Sequence, residues 1–131
     1  MVGQRALSQY KQVNTAAAVE GASPHKLIQM LMLGCLQRIA EAKGAIVRND
    51  VALKGEAVGK AMNIISGLQA SLNKEVAAAL PQQLDSLYDY MQHRLLEANM
   101  KNSIELLDEV AELMRTVKEG WDGIEQAAIQ R

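Results

Sequence analysis

The chain has 131 residues, 49% of them apolar, and a formal charge of −1, with 14 Lys and Arg against 15 Asp and Glu. Because a nucleic-acid-binding surface needs an excess of basic residues, this balance argues against a nucleic-acid partner. The single cysteine, Cys35, excludes an intrachain disulfide and a cysteine-rich metal site. The length suffices for one domain with a sizeable core.

The apolar residues are of the types that favour helices. Phe is absent and aromatic residues make up 3%, whereas Ala, Leu, Ile, Val and seven Met supply the apolar surface. Residues 1–5 lack the long apolar run of a secretory signal. The densest apolar stretch, residues 27–36, is shorter than the roughly 20 residues that span a bilayer. We therefore expect an all-α, soluble, cytoplasmic protein without membrane insertion.

The first 22 residues are predicted to form a segment separate from the main domain. Leu7 and Tyr10 are spaced as in a short amphipathic helix. Residues 13–22 mix small, polar and apolar side chains, so they are predicted to be a tether or a further weak helix. We therefore divide the chain into an N-terminal amphipathic lid segment and tether, residues 1–22, and a helical bundle, residues 23–131.

Capping signals mark the first two long helices. Ser23 followed by Pro24 is typical of an N-cap and a proline at the first helical position, where its ring costs no hydrogen bond. Asn49 and Asp50 indicate the cap of the next helix. After each cap, apolar residues recur at spacings of three and four, which is the period of a bundle seam.

Two more helices follow in the second half. Pro81 indicates the start of the third, and Asn102 with Glu105 resembles a capping box before the fourth, with Asn in place of the usual Ser or Thr. Four amphipathic segments joined by short polar connections favour an antiparallel up-down four-helix bundle. Its predicted core contains Ile28, Cys35, Ile39, Ile65, Leu68, Leu87, Met91, Leu95, Leu107, Val110, Met114 and Trp121.

The first bundle helix has more apolar surface than one core stripe requires. Residues 27–36 are apolar almost all round for two turns. Either the leading segment covers this surface through Leu7 and Tyr10, or an apolar helix of a partner docks there, and the two explanations are compatible. Met30 and Met62 are flexible, polarizable side chains found on surfaces that accept varied apolar partners, although most bundle methionines simply fill the core.

The sequence carries no recognisable catalytic pattern. Di-iron bundles use Glu-x-x-His motifs, and neither His25 nor His93 has a Glu three residues before it. Two histidines on separate helices leave a heme or metal bundle as an alternative with few ligands. Cys35 lies on an apolar stripe and is expected to be a buried small hydrophobe. We therefore expect no enzymatic activity and no cofactor.

Several strings in the chain carry a family resemblance. The strings LYDYM at residues 87–91 and RLLEAN at 94–99 share the third predicted helix. SPHKLIQML at 23–31 opens the first, KAMNII at 60–65 lies in the second, and a lone Trp121 falls near the end. In this order and over most of the chain, they closely resemble the flagellar secretion chaperone family, FliS.

The resemblance implies a function and partners. Members of this family are compact helical bundles that bind newly made flagellin in the cytoplasm. They hold its disordered C-terminal segment, which would otherwise mediate filament assembly, and help deliver it to the flagellar export apparatus. The bound segment wraps around the chaperone, partly as helices in apolar grooves. An apolar residue three positions before a tyrosine in the leading segment is important in the family, and Leu7 and Tyr10 match that pattern.

Two departures from the family pattern stand out. The family usually has an aromatic residue and then Asp before the glycine of the first bundle helix, whereas here Met32 and Leu33 precede Gly34. Losing that acid removes a polar contact and puts in doubt any client interaction that it supports. Residues 73–79 also replace a connection that is often Gly-rich and acidic, so that end is expected to be more helical.

The sequence thus predicts a cytoplasmic export chaperone for flagellin. The alternative is a regulatory helical-bundle adaptor that binds another amphipathic helical partner, such as an anti-sigma factor. Exposed apolar surface would also favour a homodimer of the free protein. The candidate client or lid contacts are Leu7, Tyr10, Leu27, Met30, Leu31 and Met62.

Overall fold

The computed structural model describes residues 23–72 and 79–129, which form the four helices α1 (Pro24–Val47), α2 (Val51–Ala70), α3 (Ala79–Lys101) and α4 (Ile104–Ile129). Consecutive helices pack side by side and α4 packs back on α1, so the four helices surround one core. The predicted all-α, antiparallel four-helix bundle is confirmed. None of these helices has the length and apolarity needed to cross a membrane.

The predicted caps of α1 and α2 are present. The Ser23 hydroxyl accepts a hydrogen bond from the Lys26 N–H over 3.1 Å, and Pro24 occupies the first helical position. In α2, the Asp50 carboxylate accepts from the Leu53 N–H over 3.1 Å. Each cap satisfies one of the N–H groups that have no partner within the helix.

α1 and α3 end in the same way. Asn49 and Asn102 have φ of 56° and 53°, in the left-handed region that Asn tolerates better than most residues. After Asn49, the Asp50 N–H reaches back five residues to the Ala45 oxygen over 2.8 Å, and an equivalent bond of 3.1 Å follows Asn102. These bonds form Schellman motifs, which satisfy free carbonyls in the last turn and reverse the chain.

The capping box predicted at Asn102 is wrong by one residue. Ser103 is the residue that caps α4, because its hydroxyl accepts from the Leu106 N–H over 3.2 Å. Asn is favoured both at an N-cap and after a helix end, so the pattern alone does not separate the two roles. α3 begins at Ala79 rather than at Pro81, and the proline ring is tolerated because N–H groups of the first turn lack helical partners.

The core lies where the four apolar stripes meet. Nine of the twelve predicted core residues are buried, and Ile28, Leu87 and Trp121 are half-buried against them. The core also contains five larger side chains that are outside the predicted core, and five alanines. These are Leu31, Met32, Val58, Ile64 and Tyr88, with Ala42, Ala57, Ala61, Ala98 and Ala111.

The apolar surplus predicted on α1 is smaller in the structure. Leu31 and Met32 are buried, and Leu36 is half-buried against the core. Within residues 27–36, the large side chain that stays well exposed is Leu33, at 48%. Because α1 packs against both α2 and α4, it buries a wider face than one seam.

Candidate functional site

An apolar cavity of about 600 Å³ lies at one end of the bundle. The starts of α1 and α3 meet the ends of α2 and α4 there, because neighbouring helices are antiparallel. We call this the cavity end. The cavity is lined by Pro24, His25, Leu27, Ile28 and Met32 of α1, Leu68, Ser71 and Leu72 at the end of α2, Leu80, Pro81, Leu84 and Tyr88 of α3, and Val117 and Trp121 of α4.

His25 and Trp121 join α1 to α4 at the wall of this cavity. Their rings are stacked, with centroids 4.6 Å apart and planes inclined by 7°. The His25 Nε2–H donates to the Trp121 carbonyl oxygen over 2.7 Å, and the Trp121 Nε1–H donates to the His25 carbonyl oxygen over 3.0 Å. A carbonyl only accepts, so His25 carries its proton on Nε2. This stacked pair fixes two residues that are 96 positions apart.

A polar network adjoins the stacked pair. Gln29 donates from Nε2 to the Asp122 carboxylate over 2.5 Å, and Lys118 Nζ donates to the other carboxylate oxygen over 2.9 Å. The hydrogen bond from Lys118 is the largest cause that lowers the pKa of Asp122, and the bond from Gln29 adds to it. A negative charge on Asp122 is thus favoured beside the otherwise apolar cavity.

Tyr88 and Cys35 are buried titratable groups that interact electrostatically with each other. Tyr88 lines the cavity and is 2% exposed. Burial, with a smaller contribution from the nearby Cys35, raises the pKa of Tyr88 to about 12. Burial also raises the pKa of the Cys35 thiol to about 12, and Cys35 is fully buried, as predicted. A thiol held in its neutral form is a poor nucleophile.

A profile of the family described as "Flagellar protein FliS" matches residues 6–128. The chain belongs to this family. It is 49% identical over 124 residues to the flagellar secretion chaperone FliSB of Pseudomonas aeruginosa, covering 95% of this chain and 98% of that protein. It is 42% identical over 120 residues to flagellar secretion chaperone FliS of Salmonella typhimurium (91% and 89%) and 40% identical over 118 residues to that of Vibrio cholerae (90% and 87%).

These matches confirm the FliS resemblance seen in the sequence strings. Every residue that lines the cavity falls within the matched region. The relatives are named as chaperones, a class of protein that acts by binding rather than by catalysis. In the described part of this FliS-family chain, no group of three or more His, Cys, Asp or Glu is placed to hold a metal ion.

The predicted contact residues are spread over the bundle. Leu27 lines the cavity. Met30 is half-buried on α1, and Met62 is half-buried against the core on α2, away from the cavity. Leu31 is 0% exposed, so its contact with a partner stays a prediction that requires α1 to move. The two remaining candidates, Leu7 and Tyr10, lie outside the described residues.

Most of the cavity wall was not predicted as a site. Trp121 was assigned to the core, Leu72 and Val117 were expected only as members of the apolar stripes of their helices, and Leu80 received no role. The two prolines could have indicated which end of the bundle contains the cavity. Both prolines mark the starts of helices, and in an up-down bundle the starts of the first and third helices lie at the same end.

The opposite end, which we call the connection end, is built differently. It contains the α1–α2 and α3–α4 connections and a cavity of only about 70 Å³. Lys54 of α2 donates from Nζ to the Asn99 carbonyl over 3.0 Å and to the Asn102 side-chain oxygen over 2.6 Å. These bonds tie the two helical hairpins together.

Proposed function

We propose that this FliS-family chain is a cytoplasmic export chaperone that binds the disordered C-terminal segment of flagellin. Binding prevents premature assembly and aids delivery to the flagellar export apparatus. The observation that carries the proposal is the cavity at the end of a bundle whose relatives are named flagellar secretion chaperones.

The cavity suits an apolar segment of a client. Its volume of about 600 Å³ lies within the range of roughly 300–1,000 Å³ that is typical of ligand sites. Leu72, Leu80 and Leu84 offer apolar surface, and the described lining residues include no Asp, Glu, Lys or Arg. A disordered segment that folds into such a site gains burial of its apolar face and loses chain entropy.

The leading segment, residues 1–22, is proposed to be a lid over this surface, with Leu7 and Tyr10 as its contacts. The support is positional, since α1 begins at Pro24 in the cavity wall and the lid would join the bundle there. Deleting residues 1–12 should raise the binding of an apolar dye and change client affinity. If both stay as in the full chain, the lid proposal is wrong.

The primary test is calorimetric titration of the purified chain with a peptide from the C-terminal segment of flagellin of the same organism. We expect one-to-one binding with a large negative heat-capacity change, which is the signature of apolar burial coupled to folding. An absence of binding at micromolar concentrations would contradict the proposal.

A matched pair of leucines locates the binding site. Leu80 and Leu96 both lie on α3 and are 55% and 49% exposed, but only Leu80 lines the cavity. A charge at either position stays close to water, so both variants should fold. Leu80→Glu should weaken client binding, because a carboxylate would have to be buried under the client, while Leu96→Glu should leave binding unchanged. Equal effects of the two would place the client elsewhere.

The adaptor alternative is separated by competition. A purified anti-sigma factor should not displace the flagellin peptide if the cavity is dedicated to flagellin. Displacement at equal concentrations, or binding of the anti-sigma factor alone, would favour the adaptor function instead.

A further inference from the structure

Among the described residues of the cavity wall, four carry polar groups on their side chains, and three of these use those groups within the protein. His25 and Trp121 donate to each other's carbonyl oxygens. The Ser71 hydroxyl donates to the Leu68 carbonyl over 2.7 Å. The hydroxyl of the fourth, Tyr88, makes no hydrogen bond within the described part of the chain.

The Tyr88 hydroxyl opens on the cavity although the rest of its side chain is buried. Tyr88 is 2% exposed, but its oxygen is not one of the fully buried side-chain atoms that lack a partner, so water can reach it in the free protein. A client that displaces this water must supply an acceptor in its place, and a Phe side chain would fill the same space without making that demand. The high pKa of Tyr88 means that the hydroxyl keeps its proton at neutral pH and remains a hydrogen-bond donor.

We propose that the Tyr88 hydroxyl donates a hydrogen bond to a main-chain carbonyl of the client segment bound in the cavity. Tyr88 is then a specificity-determining residue of the site. The inference rests on the function proposed above and adds to it the part of the client that is recognised.

A main-chain carbonyl is the acceptor that an apolar client must bring. Inside a helix the client's carbonyls are already bonded, but those in its last turn, or in an extended stretch, are not. Burying such a carbonyl in an apolar cavity is unfavourable unless a donor meets it. The Tyr88 hydroxyl therefore favours a client whose helix ends, or whose chain is extended, inside the cavity.

Tyr90 provides a matched control on the same helix. Its side chain is 39% exposed, and it is absent from the cavity wall. Its hydroxyl donates to the Glu109 carboxylate over 2.6 Å and accepts from Arg94 Nε over 2.9 Å. Tyr90→Phe thus removes an equivalent hydroxyl oxygen whose hydrogen-bond partners are residues of the same chain.

The experiment is calorimetric titration of the wild-type chain, Tyr88→Phe and Tyr90→Phe with the flagellin peptide, beside urea unfolding of each. We expect Tyr88→Phe to keep the unfolding midpoint of the wild type and to bind the peptide roughly 3- to 10-fold more weakly, the loss of one net hydrogen bond. Tyr90→Phe should bind as the wild type does.

Peptides in which single carbonyls are replaced by thiocarbonyls, which are weaker acceptors, identify the partner atom. At one position the replacement should weaken binding to the wild type but not to Tyr88→Phe, a coupling expected only of groups in contact. A merely structural role of Tyr88 would not produce such coupling.

Two results would overturn the inference. If the wild type and Tyr88→Phe bind equally, or no position couples, the hydroxyl makes no bond to the client's main chain, while the proposed function stands. If the wild type itself does not bind the peptide, the proposed function fails and this inference fails with it.

Discussion

At the connection end of the bundle, backbone bonds after Asn49 and Asn102 close the turns, Lys54 joins the two hairpins, and the cavity measures about 70 Å³. At the cavity end, side chains from all four helices leave an apolar space of about 600 Å³. The contact that joins α1 to α4 there, between His25 and Trp121, links residues 96 positions apart.

The difference between the two ends shows which residues stabilise the bundle and which leave a surface for binding. The turns of the connection end are closed by residues close in sequence, whose caps and left-handed conformations are favoured whatever surrounds them, and Lys54 adds contacts to residues 45 and 48 positions away. The cavity end depends on packing between distant residues, and it keeps apolar surface that the bundle does not fill. The proposed client would therefore bind at the end of the bundle where packing between distant residues leaves apolar surface open.

The largest expected effect comes from raising the pH, which acts on two buried titratable groups. Cys35 and Tyr88 have pKa values of about 12 in the folded chain, against ordinary values of 9.0 and 10.0. Above pH 9 the unfolded chain therefore binds fewer protons than the folded one, so stability falls as pH rises towards 12. Between pH 9 and 11 the free energy of unfolding should fall by on the order of 3 kcal/mol.

Urea unfolding at pH 9 and 11, followed by circular dichroism, measures this loss. The double variant Cys35→Ala, Tyr88→Phe is the control, because it removes both groups. If its stability falls between the two pH values as much as that of the wild type, the exposed groups of the bundle, rather than these two, cause the loss.

Removing Trp121 should break the cavity end while sparing the connection end. Trp121→Ala deletes the stacked ring and the hydrogen bond to the His25 carbonyl. We expect a loss of about 3 kcal/mol, at the low end of the range for Trp truncation because the side chain is only half-buried. Trp121→Phe retains a ring and should lose less.

Hydrogen exchange would show whether the damage is confined to one end. The first hydrogen-bonded amides of α1, which lie in its second turn near the cavity end, should exchange faster in Trp121→Ala than in the wild type. The comparison is made under conditions where local opening dominates exchange. The Asp50 and Ser103 amides, which close the connections, should keep their wild-type rates. Equal acceleration at both ends would mean that the bundle opens as one unit and that the contrast between its ends has no energetic basis.

Periodicity predicted the fold because the core of a bundle repeats regularly along each helix. Ile39 and Met91 recur in phase with their stripes and are buried as expected. Leu31 was expected to contact a partner, but it is fully buried because α1 packs against two neighbouring helices. The apolar pattern of a single helix does not show how many neighbours that helix has. The cavity was missed for a related reason, because the proximity of His25 and Trp121 is a property of the assembled bundle.

Substitution of Asn102 tests how much the connection end contributes to the stability of the bundle. Its φ of 53° strains a β-branched residue, so Asn102→Val should cost about 1–2 kcal/mol. The variant also removes the side-chain oxygen that accepts from Lys54. Client affinity should not change, because Asn102 lies at the end away from the cavity.

Asn102→Gly separates the two causes, since glycine adopts a positive φ freely but lacks the oxygen. Its unfolding midpoint in urea should lie between those of the wild type and Asn102→Val. If Gly and Val are equally destabilising, the contact with Lys54, rather than the backbone conformation, accounts for the loss.

The smallest effect is expected at Gly59, in the middle of α2 between the two ends. A Cβ added at Gly59 would meet no atom within 4 Å, so Gly59→Ala introduces no clash. Alanine restricts the unfolded chain more than glycine does, and the variant should be more stable by about 0.5–1 kcal/mol. Gly55, one turn earlier, has the same open surroundings and should respond alike.

Titration of the Gly59→Ala variant with the flagellin peptide also tests whether the client contacts α2. If Gly59→Ala is more stable and binds the flagellin peptide as tightly as the wild type, α2 is not approached closely by the client, and binding is concentrated at the cavity end. If affinity falls although stability rises, the bound segment passes over α2 with its backbone close to Gly59, because the added methyl group lowers affinity only where the client packs against it. In that case the cavity end would anchor the client, and the surface of α2 between the two ends would also contact it.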